Sequence, residues 1–123
     1  ALYRNELLKR AQDGDAEAQY DLGCAYSNGE GCEQDSAEAV KWWQMAAKQR
    51  NADAQHALGC AYDLGEGVEQ DYAEAVKWWR LAADQGNIWA QHSLGDAYYL
   101  GEGVEQNSVE ADKWWQMAAE QGD

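Results

Sequence analysis

Two side-chain pairs in this sequence have the spacing of a ligand set. His56 and Cys60 stand four residues apart, as do His92 and Asp96. On a helix that interval puts both members of a pair on one face. Imidazole, thiolate and carboxylate are the donors that zinc and its neighbours accept. The second pair follows the first by 36 residues. Two adjacent helices about 10 Å apart would let all four side chains converge on one ion. Ordinary variation along a solvated surface accounts for the same residues without any ion.

Other chemistry has less to work with. The histidines lack a Ser or Cys in any local triad arrangement, so no activated nucleophile is expected, no enzyme activity and no cofactor. Gly29-Glu30-Gly31 and its copies follow helical patterns, not strands, and carry an acid where a phosphate would sit. They read as turns. Glu30, Glu33, Glu66, Glu69, Glu102 and Glu105 form an acidic edge without the Asp-x-Asp-x-Asp-Gly spacing of a calcium loop. The three cysteines, Cys24, Cys32 and Cys60, cannot all pair. A local Cys24–Cys32 bridge would leave Cys60 over, so free thiols are the expected state.

The bulk numbers narrow the partners. In 123 residues, 23 acidic side chains against nine basic ones give a formal charge of −14. That field repels phosphate backbones and anionic lipid, which argues against nucleic-acid and membrane-surface roles. There is no long apolar run, so neither a membrane span nor a signal peptide is expected. Pro and Phe are absent, while Trp and Tyr number seven each.

What must position these residues is a repeat. Gly23, Gly59 and Gly95 recur every 36 residues, as do Gly29, Gly65 and Gly101, and the pairs Trp42-Trp43, Trp78-Trp79 and Trp114-Trp115. A fixed period of this length signals stacked supersecondary units. Each unit reads as two helices. Asp15, Asn51 and Asn87 are placed to cap the first. Asp35, Asp71 and Asn107, with Glu38, Glu74 and Glu110 three residues on, have capping-box spacing at the second. Gly86 and Gly122 are read as left-handed residues past the ends of second helices, with Arg50 in that slot in the first unit. Residues 1–14 form a leading half-unit, followed by units 15–50, 51–86 and 87–123. The fold class is therefore all-α, a solenoid of helix-turn-helix repeats with seven helices in total.

The run Ala54-Gln-His-Ala-Leu-Gly-Cys-Ala-Tyr-Asp-Leu-Gly-Glu-Gly-Val68, followed by Asp71-Tyr-Ala-Glu-Ala-Val-Lys-Trp-Trp-Arg-Leu-Ala-Ala83, resembles a Sel-one-like repeat. The resemblance extends over essentially the whole chain. It implies a right-handed α/α superhelix similar to tetratricopeptide arrays, a protein-interaction role and a bacterial source, with cytoplasm and periplasm both open. Two departures limit it. Glu33, Glu69 and Glu105 stand where the family commonly has Pro. Ala47, Ala83 and Ala118 stand where a cysteine-rich secreted branch carries a Cys, so that branch's disulfides and antibiotic binding do not transfer.

Residues common to all units should serve stacking. Ala18, Leu22, Ala25 and Tyr26 and their copies make one side of the first helix. Trp43, Trp79 and Trp115 are expected in the core, and Trp42, Trp78 and Trp114 on the adjacent unit. Gln19, Gln55 and Gln91 are expected as buried hydrogen bonders. The opposite side of the first helix varies between units and is free for recognition. A protein or peptide partner on a concave face there would meet Tyr20, His56, Asp63, Trp89, His92 and Tyr99. Trp89 replaces Glu17 and Asp53 of the other units. It serves either as an interface anchor or as a cover for the neighbouring helix. End-to-end self-association is the structural alternative, since the leading helix lacks a partner of its own unit.

Overall fold

The computed structural model describes residues 2–122, with side chains described from Arg4 onward. Seven helices follow one another: α1 (Leu2–Gln12), α2 (Ala16–Asn28), α3 (Ser36–Lys48), α4 (Ala52–Leu64), α5 (Tyr72–Asp84), α6 (Ile88–Leu100) and α7 (Ser108–Gly122). No strand occurs among the described residues. Each helix packs on its neighbours in sequence, most extensively within the pairs α2–α3, α4–α5 and α6–α7. The result is a one-dimensional stack, in which each pair buries its apolar side against the next.

The helix starts follow from their caps. Asp15, Asn51 and Asn87 accept a side-chain hydrogen bond from the backbone N–H of Ala18, Ala54 and Ala90. Asp35, Asp71 and Asn107 do the same for Glu38, Glu74 and Glu110. Only half of the expected capping box forms. The backbone N–H of Asp35, Asp71 and Asn107 goes to the carbonyl of Tyr26, Tyr62 and Tyr98. That bond ties each second helix to its own first helix and frees the glutamates, which turn to Lys41, Lys77 and Lys113.

The helix ends hold one correction. Gly86 is left-handed at φ 95°, and Arg50 takes the same conformation at φ 72°, the one non-glycine among the described residues to do so. Gly122 is not past the end of its helix, because α7 runs through it. The Trp-Trp-Gln-Met-Ala-Ala-Glu-Gln run before it is rich in residues that favour continued helix.

Three apolar clusters build the spine, each joining a second helix, the next first helix and a Trp beyond. Leu7, Ala11, Ala18 and Leu22 form one, with Trp42 against it. Val40, Ala46, Ala47, Ala54, Leu58 and Ala61 form another, with Trp78 against it. The third, built around Trp79, Ala82, Ala83, Ala90 and Leu94, takes in Trp114. Trp42, Trp78 and Trp114 thus bridge to the preceding unit as expected. Of the other tryptophans, Trp79 is buried, while Trp43 and Trp115 are only partly covered.

A polar ladder runs through this apolar spine. Gln19, Gln55 and Gln91 are fully buried. Their amides donate to the carbonyls of Ala11, Ala47 and Ala83 at 3.0, 3.2 and 3.2 Å. Their side-chain oxygens accept from Gln49, Gln85 and Gln121 at 2.9, 2.9 and 2.7 Å. Each rung therefore connects the end of the preceding second helix, a first helix, and the end of that first helix's partner. Satisfying both ends of a buried amide makes its burial tolerable.

Candidate functional site

The side chains left over from stacking line two equivalent recesses that open between successive first helices. The first has a volume of about 300 Å³, bounded by α2, α3 and α4; Tyr20, Cys24, Trp43, His56, Cys60 and Leu64 line it. The second, about 240 Å³, lies one repeat on, where Asp63, Leu64, Tyr72, Asp96, Leu100 and Glu102 contribute. Close approach of the Trp to the Gly on the first helix sets the floor. A Cβ placed on Gly59 would lie 2.5 Å from the Trp79 ring, and one on Gly23 would meet Trp43 at the same distance.

The position after each of these glycines faces the indole N–H. Asp96 accepts from Trp115 Nε1 at 3.0 Å. Cys24 and Cys60 occupy that position in the other units, where a thiol sulfur is a poorer acceptor. The Trp43 and Trp79 indole nitrogens are accordingly buried without a partner in hydrogen-bond range. Asp96 thus has a structural duty that sequence reasoning did not assign.

The metal constellation is not assembled. Cys60 Sγ and His56 Nε2 are 3.4 Å apart, and His92 Nδ1 and Asp96 Oδ2 are 3.5 Å apart. Among the described residues, however, no three His, Cys, Asp or Glu side chains come together as a metal set. Both pairs form as helix spacing demands, but His56 opens into one recess and His92 into a groove between α6 and α7. Burial also pushes the Cys60 thiol up and the His56 imidazole down from their ordinary values. Both shifts favour the uncharged forms of the pair. Burial likewise raises Cys24, and all three cysteines are free.

The six expected contact residues are distributed along the stack. Tyr20 and His56 share the first recess, and Tyr20 also packs against the α3–α4 cluster. Asp63 lies in the second recess. Trp89 and His92 lie together with Ile88, Trp115, Ala118 and Ala119 around an open groove at the end of the stack. Trp89 is 66% exposed there. Tyr99 is 52% exposed, with its ring 5.5 Å from that of Trp115. The residues missed are Leu64 and Leu100, 63% and 60% exposed on the recess rims. A signal was present, since each directly precedes the glycine that ends its helix, where a large apolar side chain serves no cap.

A stack of paired helices with a buried polar ladder and variable recesses defines the class of α-solenoid repeat proteins. The chain belongs to the Sel1 repeat family, whose description matches residues 16–51, 52–87 and 90–123. It is similar to a protective antigen of uropathogenic Escherichia coli with an SLR fold: 48% identity and a TM-score of 0.93 over 95% of this chain. The chain spans only 25% of that protein's length. A Sel1 repeat protein from Oxalobacter formigenes shows 40% identity and a TM-score of 0.86, covering 96% of this chain and 89% of that one. Cysteine rich protein B of Helicobacter pylori shares the fold at 21% identity and a TM-score of 0.75, over 98% of this chain and 91% of that one. No curated protein matches the chain. Members of this repeat family generally act as protein-interaction scaffolds. No described helix is long and apolar enough to cross a membrane.

Proposed function

We propose that units 15–50, 51–86 and 87–123, behind the half-unit 1–14, present a concave groove that holds a protein or peptide segment. The observation that carries this reading is the pair of equivalent recesses one repeat apart, rimmed by Leu64 and Leu100. Stacking does not require large apolar side chains there, and exposed apolar rims around a concavity are what a partner covers. Tyr20, His56, Asp63, His92 and Tyr99 would line the path of the bound segment, with Trp89 at its end. To test it, Leu64→Ser with Leu100→Ser, and separately Trp89→Ala with Tyr99→Ala, are compared with the parent in capture from a bacterial lysate. Loss of captured proteins at unchanged helicity is expected; undiminished capture by both variants counts against the groove.

A second reading draws on the end groove of about 450 Å³ beside Ile88, Trp89, Ala118 and Ala119. Ala119 is exposed there, whereas its match in the preceding unit, Ala83, is buried against α6. A surface of that kind supports end-to-end self-association. Light scattering over a concentration series decides this, a monomer at every concentration removing it.

A further inference from the structure

The charges of this protein are sorted by face. The first helices and the turns after them, residues 16–35, 52–71 and 88–107, contain no Lys or Arg. All nine basic residues lie on α1, α3, α5 and α7 or, as Arg50, on a link between repeats. Most are engaged there: Lys41, Lys77 and Lys113 lie 3.5, 3.8 and 3.6 Å from Glu38, Glu74 and Glu110 of their own helices. Arg10 pairs with Asp15, and Arg80 donates to the Tyr98 hydroxyl. Arg4 lies over the Tyr26 ring. The same cation-free segments carry 13 of the 23 acids.

The two recesses inherit this sorting. No Lys or Arg lines either one, whereas Glu66 borders the first and Asp63, Asp96 and Glu102 border the second. Asp96 is committed to Trp115 and His92. Asp63 and Glu102 have no ion-pair partner among the described residues, and they stand beside the apolar rims of Leu64 and Leu100. A partly covered carboxylate beside an apolar rim suits a side chain that is cationic at its tip and apolar along its stem.

Resting on the groove reading above, we propose that the segment it holds is basic: an extended stretch with two apolar side chains about three residues apart, flanked by Lys or Arg. The apolar pair seats in the two recesses. Neighbouring helices lie about 10 Å apart, which an extended chain in the left-handed polyproline conformation, rising about 3.1 Å per residue with side chains three apart on one face, covers in three residues. The cations reach Asp63, Glu66 and Glu102. Charge complementarity of this kind chooses the partner and speeds encounter more than it adds contact area.

The test is to pan a random peptide library on the immobilised chain at low salt and synthesise the recovered peptides. They are expected to be enriched in Lys and Arg around two apolar positions. Asp63→Asn with Glu102→Gln should weaken them about tenfold, whereas Asp84→Asn with Asp112→Asn, the same charge change on second helices, should leave them within about twofold. Recovered peptides without a cationic bias, or indifferent to the Asp63 and Glu102 pair, overturn the basic partner. If Leu64→Ser with Leu100→Ser still abolishes those peptides, the groove itself stands. Recovery of no peptide sensitive to either pair overturns both.

Discussion

At Gly59 an added methyl would lie 2.5 Å from the Trp79 ring and 3.1 Å from the Ala75 carbonyl. Trp79 is 6% exposed and has nowhere to retreat. Gly59→Ala should therefore cost about 1–2 kcal/mol in urea unfolding, overpacking outweighing the gain in helix propensity. Arg50 presents the opposite case, a bulky residue held at φ 72° where the next unit has Gly86. Arg50→Gly should raise stability by about 1 kcal/mol, read as a higher urea midpoint at unchanged slope. His56 carries a pH signature. Burial depresses its imidazole pKa, so the unfolded chain binds the proton more readily, and stability is lost as pH falls from the ordinary imidazole range through the folded value. Asp21 and Asp63, raised by burial, act in the reverse sense at lower pH. The difference in melting temperature between the parent and His56→Gln, followed from pH 8 to pH 5, isolates the imidazole; a pH-independent difference contradicts the assignment.

At the scale of elements, the caps carry much of each helix start. Asn87 bonds the Ala90 N–H through its side-chain oxygen and the Asp53 carboxylate, at 3.1 Å, through its amide. Asn87→Ala should cost about 1–2 kcal/mol by chemical denaturation, more than a cap that serves one helix alone. The period and the capping side chains made seven helices legible in the sequence, because each unit repeats the same local choices. The ladder was legible only in part. Gln19, Gln55 and Gln91 border the apolar stripe, but their partners Gln49, Gln85 and Gln121 lie 30 residues on, beyond any local pattern. The recess rims were missed for a related reason. Leu64 and Leu100 look like ordinary apolar residues of a helix, and only the turn geometry leaves them outside the core. The two ion-like pairs were read correctly as pairs; their failure to converge depends on where successive helices point, which spacing within a helix does not encode.

The whole molecule behaves as a line of coupled units, with no central core. Protection of backbone amides against hydrogen exchange should rise from α1 and α7 toward α4 and α5, since end units have one stacking neighbour and middle ones have two. Uniform protection along the chain would contradict that picture. A net charge of −14 adds repulsion among the first helices and turns, where no cation intervenes. Raising salt from about 20 to 200 mM should therefore raise the melting temperature by a few degrees. The glutamine rungs bear on how such a chain changes length. Each 36-residue module brings one amide that reaches back to its predecessor, at Ala47 or Ala83, and carries an alanine carbonyl at the same place for its successor. Splicing in or cutting out one whole module restores the hydrogen bonding across the joint, while a residue gained or lost within a helix turns the amide away from its carbonyl. Genetic duplication that adds whole modules therefore lengthens this protein without losing a rung.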